Sequence, residues 1–206
     1  MKLSGVTFQG PKLIDAPILS ELSIEHVELL REMNGFIAFD GGFHLRGVCD
    51  DPVWHSLAEA WTGENSLHRL YPSVRKSDIP FGEDCMGDQF LLRESVVYRL
   101  SGESGDCESL RYSWQQFFER LTANPPEFLR LEPLVQFHRE GGRLEPGQLL
   151  SVYPPFVCEE SQDGVSLSAV PATERILFLA DFARQFASVA DGEPFRITVS
   201  NERNGR

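Results

Sequence analysis

The segment from Ile79 to Asp88 constrains the fold of this chain more than any other part of the sequence. It reads Ile-Pro-Phe-Gly-Glu-Asp-Cys-Met-Gly-Asp, with two glycines and three acids, and it runs directly into the apolar residues 89–92. Glycine permits backbone conformations with positive φ, and aspartate accepts hydrogen bonds from turn amides. The pattern therefore predicts a structured turn that leads into a core strand, with Gly82, Gly87 and Asp88 holding its shape.

The residues before this segment predict a helix followed by a hairpin. Ser23 can cap a helix over residues 24–33, in which apolar residues recur at three-residue steps. Asn34 and Gly35 are expected to end this helix, because both residue types readily take the left-handed conformation found just beyond helix C-termini. The hairpin is predicted from an Asp-Gly-Gly turn between two apolar segments, Phe36–Phe39 and Phe43–Leu45.

A second helix is predicted to begin at Asp51-Pro52, where a cap residue precedes a proline at the first helical position. Its apolar stripe, at helical spacing, consists of Trp54, Leu57, Ala58 and Trp61. A short strand is predicted over Leu67–Tyr71. Beyond the 79–88 turn, the sequence predicts an antiparallel pair of strands and a helix with a Ser-x-x-Gln capping box; these are Gln89–Leu92, Val96–Leu100 and the helix that Ser113 opens.

The chain is predicted to begin a second unit near residue 127, so we divide it into a domain of residues 1–126 and an extension of residues 127–206. The extension is predicted to have a short helix over Pro133–Arg139 and then a β-β-α-β order. Its predicted strands and long helix are Leu149–Tyr153, Val165–Val170, the helix from Pro171 to Gly192, and Phe195–Val199. This unit is either a small subdomain or a set of layers packed on the core of the first domain.

The chain is strongly acidic, with 19 Lys and Arg residues against 31 Asp and Glu residues, a formal net charge of -12. A field of this sign repels nucleic acid and anionic membranes and favours basic protein partners. An acidic surface also keeps a protein soluble without any specific partner. No stretch approaches the ~20 apolar residues of a membrane span, and the first residues lack the apolar core of a signal peptide. We therefore expect a cytoplasmic protein that binds neither nucleic acid nor membrane.

No motif for catalysis or cofactor binding stands out. The four cysteines form no Cys-x-x-Cys pair, and the five histidines lack metal-ligand spacing, so we expect them to lie at the surface or to have hydrogen-bond partners. Glu83, Asp84 and Asp88 are three acids within six residues, but a hard cation needs further oxygen ligands from rigid positions. We expect no catalytic residue, metal or cofactor, and a metal-dependent hydrolase that uses these acids is a remote alternative.

Taken in order, these pieces resemble the SUKH superfamily, which includes bacterial immunity proteins of polymorphic toxin systems and fungal regulators of cell-wall glucan synthesis. The resemblance covers roughly residues 20–123. It implies an α+β fold, with a mixed, largely antiparallel sheet flanked by helices, to which the C-terminal β-β-α-β extension is added. Seven positions carry the family pattern, and the resemblance implies that they have structural roles: Asn34, Gly35, Trp54, Pro80, Gly82, Gly87 and Asp88. The strand Val96–Leu100 and the helix with Trp114, Phe117 and Phe118 also match the pattern.

The resemblance also implies a non-catalytic role, in which the protein binds a partner and blocks it. We therefore expect an immunity protein that neutralises a toxin domain, and the acidity favours a basic one. The alternative is a regulatory scaffold or adaptor that binds a cellular protein. The candidate contacts are an aromatic side chain and the dense acidic spots around it and upstream: Phe81, Glu83, Asp84, Asp50 and Asp51. Phe81 is either a core anchor or an exposed contact, and each acidic spot is either a contact or an ordinary solvated surface. A third dense acidic spot is Glu159-Glu160.

Overall fold

Seven antiparallel strands form the main sheet of the protein. The structure is a computed structural model that describes residues 3–188, and in this range each strand of the sheet pairs with the next along the chain. Every one of these pairs is antiparallel. The strands are β1 (Phe8–Gln9), β2 (Phe36–Ala38), β3 (Phe43–Leu45), β4 (Ile79–Asp84), β5 (Gln89–Arg93), β6 (Val96–Leu100) and β7 (Cys107–Tyr112). The predicted α+β fold with a largely antiparallel sheet is confirmed.

Helices flank this sheet and connect its strands. The α-helices of the described range are α1 (Ile24–Glu32), α2 (Leu57–Thr62), α3 (Leu67–Leu70), α4 (Trp114–Ala123), α5 (Pro125–Leu129), α6 (Glu132–Arg139) and α7 (Ala172–Phe186). Shorter 3-10 segments are Pro17–Glu21, Val53–His55 and Glu159–Asp163. Among residues 3–188, no helix has the length and apolar character needed to cross a membrane.

Two predicted helix caps are present. The Ser23 hydroxyl accepts a hydrogen bond from the amide of His26 at the start of α1, and Ser113 and Gln116 form both bonds of the capping box on α4. Helix α1 ends just before Asn34 and Gly35, as predicted, with Met33 as its extended cap, but only Gly35 has a left-handed φ, of +74°. Asn34 is instead buried beyond the helix, with its side chain bonded to three backbone groups of Pro11 and Val48.

The acidic segment begins as a strand, so the prediction of one turn over residues 79–88 was wrong for its first six residues. These residues form β4, which lies in the middle of the sheet between β3 and β5 and is buried along its whole length. Proline and glycine usually weaken a strand interior, but a β-bulge between Pro80 and Gly82 accommodates them. Only residues 85–88 form the turn.

Two other local predictions were also wrong. Leu67–Tyr71 was expected to be a strand, but Leu67–Leu70 is the short helix α3, closed by the amide of Tyr71 donating to the Leu67 carbonyl. The second helix does not begin at Asp51-Pro52, because the Ser56 side chain caps α2 instead. Trp54 therefore lies in the preceding 3-10 segment and not on the α2 stripe. The edge strand β7 was not predicted, since four of its six residues are polar or small and it lacks an apolar run.

The C-terminal unit adds a second sheet and a helix. Strands β8 (Gln148–Tyr153) and β9 (Ser166–Pro171) pair with each other, and α7 follows directly. This confirms the predicted β-β-α part, whereas the predicted helix end at Gly192 and the strand Phe195–Val199 lie outside the described residues. The amide of Leu150 donates to the Cys85 carbonyl at 2.7 Å, which ties β8 to the turn after β4.

One hydrophobic core extends across the predicted boundary at residues 126 and 127. The largest group of buried apolar side chains contains Phe43, Phe81 and Phe117 from the main sheet and α4, and it also contains Leu129 and Leu150 from the C-terminal part. The division of the chain into residues 1–126 and 127–206 stays a prediction. The shared core is the arrangement expected for layers packed on one domain.

Candidate functional site

A cluster of polar side chains is buried where β3, β4 and β5 meet. Register places His44 on β3 directly opposite Glu83 on β4, and Glu83 directly opposite Gln89 on β5. Arg46 follows β3 and its amide continues the strand pairing by donating to the Phe81 carbonyl. These four residues and His55, all at most 5% exposed, are called here the buried polar cluster.

Glu83 is the anionic centre of the buried polar cluster. One guanidinium nitrogen of Arg46 contacts Glu83 Oε2 at 2.8 Å and Gln89 Oε1 at 2.7 Å, and the other donates to the Pro80 carbonyl at 3.0 Å. Gln89 Nε2 also donates to Glu83 Oε2 at 3.0 Å. Burial alone would raise the pKa of Glu83, but Arg46 and the bonds from His44 and Gln89 outweigh it and lower the pKa to about 2. Glu83 is therefore ionised in the interior.

The two histidines extend the cluster as a series of three contacts. His44 Nδ1 lies 2.9 Å from Glu83 Oε1, His44 Nε2 lies 2.8 Å from His55 Nδ1, and His55 Nε2 lies 2.8 Å from the carbonyl oxygen of Asn34. Both ends of this series can only accept hydrogen bonds when Glu83 is ionised. Three hydrogen bonds then need three protons, and two neutral imidazoles supply two.

Both histidines have lowered pKa values. Burial lowers the pKa of His55 to about 4, with a further contribution from His44. Burial also lowers the pKa of His44, although the hydrogen bond and charge of Glu83 oppose this. A neutral pair leaves one of the three contacts without a proton, and a proton added to the pair as the pH falls completes the series.

This cluster has no room for a substrate. All four ring nitrogens of His44 and His55 already contact protein groups. A cavity of about 10 Å³ borders His44, Glu83 and Trp54, and this volume is enough for roughly one water molecule. The arrangement is suited to holding three strands together.

A second set of acids organises the turn between β4 and β5. Asp84 Oδ1 accepts from the amides of Met86, Gly87 and Asp88 at 2.9, 3.1 and 3.1 Å. Asp84 Oδ2 and Asp88 Oδ2 both contact the Arg99 guanidinium, at 3.0 and 2.8 Å. Burial and the Asp88 carboxylate raise the pKa of Asp84, while Arg99 and the amide donors oppose this shift.

The positions of the predicted contact residues need a correction. Phe81 is fully buried, and Glu83 and Asp84 are each 1% exposed, so these side chains present no surface to a partner in this structure. The reason is that their segment is a central strand and not an exposed turn. Asp50 and Asp51 are exposed and are the two predicted contacts that a partner can reach.

The positions predicted to be structural have close contacts with their neighbours in the fold. Gly35 has a φ of +74°, and an added Cβ there would lie 2.4 Å from the His55 ring. An added Cβ at Gly82 would lie 2.9 Å from the His44 carbonyl oxygen, and Asp88 Oδ1 accepts from the Gly102 amide at 2.9 Å. Trp54 packs against the rings of Phe8 and His44, with centroids 4.9 and 5.3 Å apart.

The carboxylates of Glu83, Asp84 and Asp88 accept hydrogen bonds from arginine side chains or backbone amides. Glu83 binds Arg46, and Asp84 and Asp88 share Arg99. Within residues 3–188 no group of three or more His, Cys, Asp or Glu side chains has the geometry to hold a metal ion. The geometry gives no support to the hydrolase alternative.

Sequence reasoning missed most of the buried polar cluster. His44, Arg46, His55 and Gln89 were not singled out, because only the strand register and the fold bring them to Glu83. One signal was available: His44 and Arg46 are two residues apart, so they share one face of an extended chain. Polar residues on the inward face of an otherwise apolar strand indicate a buried network.

Comparisons with known proteins identify no family. No family model matches the chain, and no curated protein matches it. Among solved structures, the chain is similar to Atu4351 from Agrobacterium tumefaciens, with 13% sequence identity, 85% coverage of each chain and a TM-score of 0.49. A similarity this distant carries no argument about function.

Proposed function

We propose that this protein is a cytoplasmic immunity protein of the SUKH type, which binds a basic toxin domain and blocks it without catalysis. Two properties of the molecule support the proposal. Its buried ionisable side chains bond mainly to each other and to the backbone, as His44, Arg46 and Glu83 do. Its surface carries the acidity of a chain with a net charge of -12, which favours rapid association with a basic partner.

The observation that carries the proposal is the loop between β8 and β9. Three apolar side chains are exposed within five residues, one at the end of β8 and two in the loop: Tyr153 at 67%, Phe156 at 45% and Val157 at 37%. Glu159 and Glu160 follow after Cys158 and are also exposed. Aromatic anchors beside charged residues are typical of protein interfaces. A partner that fits this loop needs an apolar pocket with basic residues at its rim.

The loop is held in shape before any partner binds. The amide of Val157 donates to Glu103 Oε2 at 3.2 Å, and the Ser161 hydroxyl donates to the Cys158 carbonyl at 2.7 Å. Preformed loops lose less conformational entropy on binding than mobile ones. A second exposed site of similar character contains Asp50, Asp51 and Val53, the last 56% exposed.

The test uses the product of the adjacent gene, if that gene encodes a toxin with a basic C-terminal domain. We expect this domain to bind the protein and to lose its toxicity on co-expression. Two double variants, Glu159→Gln with Glu160→Gln and Asp50→Asn with Asp51→Asn, should each slow association by about threefold to tenfold at low salt. Phe156→Ala should speed dissociation by roughly tenfold or more.

The matched control is the double variant Glu108→Gln with Glu132→Gln, which removes the same charge from exposed positions elsewhere. Equal effects in the control would mean that net charge alone governs association. A toxin domain that neither binds nor is neutralised contradicts the proposed function. Capture of cellular proteins by a pull-down, together with that failure, would favour the scaffold alternative.

A further inference from the structure

A cleft of about 580 Å³ lies where the turn between β2 and β3 faces the end of α6. It is lined by Thr7, Asp40, Val135, His138, Arg139, Arg143 and Leu144. Ligand sites in proteins typically have volumes of roughly 300–1,000 Å³ and combine apolar walls with a few polar groups. The cleft is open to solvent, its volume lies within that range, and its lining is mixed.

The arginines of the cleft differ from the arginines of the interior. Arg46, Arg93, Arg99 and Arg175 each lie within ion-pair distance of a carboxylate. Within residues 3–188, neither Arg139 nor Arg143 is within that distance of one. Arg143 donates one bond, from Nη1 to the adjacent Gly142 carbonyl at 3.0 Å. Most of the donors on these two guanidinium groups are thus free for a ligand.

The other walls define the chemistry of the ligand. Two guanidinium groups recognise the paired oxygens of a phosphate or a carboxylate. Val135, 40% exposed, and Leu144 supply apolar surface, and the volume exceeds that of a bare phosphate ion. We propose that the cleft binds a small organic anion, whose phosphate or carboxylate group contacts Arg139 and Arg143 and whose apolar part contacts Val135 and Leu144.

The net negative charge of the chain and the Asp40 carboxylate both oppose anion binding, and the second can be removed by mutation. The net charge of -12 repels anions at long range, so the affinity depends on short-range contacts with the arginines. Asp40 places a carboxylate in the same cleft, and its removal should favour the anion. Asp40 has a φ of +56°, a conformation that asparagine also tolerates, so Asp40→Asn changes the charge and preserves the turn.

The experiment titrates the full chain with phenyl phosphate, benzoate, inorganic phosphate and the neutral phenol, and follows backbone amides by NMR. We expect shifts confined to Thr7, Asp40 and residues 138–144, with phenyl phosphate or benzoate binding more tightly than inorganic phosphate or phenol. The stronger of the two aromatic anions identifies the ligand as phosphate-bearing or carboxylate-bearing.

Three variants decide the role of the side chains. Arg139→Gln with Arg143→Gln should weaken binding about tenfold or more, and Asp40→Asn should tighten it about threefold. Arg31→Gln, an exposed arginine on α1, should leave affinity unchanged. Absence of shifts for both aromatic anions overturns the inference, as does binding that the paired arginine variant leaves intact. The inference is independent of the proposed immunity function, because no protein partner enters the experiment.

Discussion

Glu83 and His26 show two opposite ways in which a polar side chain is held in this interior. Glu83 has hydrogen bonds from Arg46, His44 and Gln89, which keep it ionised. His26 is fully buried, stacks on the Trp114 ring with centroids 4.2 Å apart, and has neither ring nitrogen bonded among the described residues. The expectation that it would be exposed or satisfied was wrong. Burial lowers its pKa to about 4, so it is neutral in the folded protein at neutral pH.

Replacement of His26 by Phe is expected to make the protein less sensitive to acid. In the unfolded chain histidine has a pKa of ~6.5, so between that value and about 4 the unfolded state binds more protons than the folded state. Stability is therefore full above this window and is lost as the pH falls through it. At pH 5 the loss from His26 amounts to roughly 2 kcal/mol.

Urea denaturation at pH 8 and pH 5 measures this effect. The free energy of unfolding should fall by about 2 kcal/mol less in His26→Phe than in the wild-type chain. His138→Phe, at a half-buried position outside this aromatic contact, controls for the loss of an imidazole. An equal decrease in His26→Phe and the wild type would show that His26 is protonated without cost in the folded state.

At the scale of elements, the turn between β4 and β5 joins the main sheet to α7. Gly87 has a φ of +100°, and a Cβ added there would lie 2.7 Å from Leu179 Cδ1 on α7. Arg175, also on α7, donates from Nε to the Met86 carbonyl at 3.4 Å. The turn with its acids and glycines therefore packs against a helix about 90 residues further along the chain.

Gly87→Ala is expected to be more destabilising than Gly141→Ala. Both glycines have left-handed φ values, +100° and +87°, but a Cβ at Gly141 would meet nothing within 4 Å. We expect a cost of about 1 kcal/mol at Gly141 and roughly 2–4 kcal/mol at Gly87, where crowding adds to the backbone strain.

A double-mutant cycle separates the two costs. Leu179→Ala in the Gly87→Ala background should recover part of the extra loss measured by denaturant unfolding, because it removes the atom that the new Cβ would meet. Strictly additive effects of the two changes would show that α7 does not pack against the turn.

How well an element was predicted depended on how far apart in sequence the residues that form it are. Helices α1 and α4, which have local side-chain caps, and the pairs β2–β3 and β5–β6, which have short turns, were predicted because neighbours in sequence decide them. Helices α6 and α7 were predicted from their prolines and apolar periodicity, and the β8–β9 strands from their apolar runs. The strand β4 was mistaken for a turn, because its Pro80 and Gly82 are tolerated only by a bulge against β5. The buried polar cluster was missed, since pairing of β3 with β4 brings His44 opposite Glu83.

At the scale of the whole molecule, the core makes the C-terminal part a component of the fold. Leu129, Leu131, Leu134 and Leu150 are at most 5% exposed and belong to the same cluster as Phe43 and Phe81. A chain of residues 1–126 would expose the surfaces that these leucines cover. Burial of a leucine side chain contributes about 1.5–3 kcal/mol, and proteins are stable by only about 5–15 kcal/mol in total.

We therefore expect the fragment of residues 1–126 to lack a cooperative unfolding transition in urea. Its NMR spectrum should be poorly dispersed, and it should bind a hydrophobic dye, unlike the full chain measured alongside it. A sharp transition and a dispersed spectrum would instead establish residues 1–126 as an autonomous domain and support the boundary predicted from sequence.

The order of the strands has a consequence for how the chain folds. From β4 to β7 the sheet is a continuous meander over residues 79–112, and its connections are residues 85–88, 94–95 and 101–106. Closing loops this short costs little chain entropy, whereas joining β3 to β4 requires closure of residues 46–78. We expect the four-stranded meander to form first, with Glu83 exposed to water until β3 arrives. The ion pair with Arg46 would then form late, and disruption of it would speed unfolding more than it slows folding.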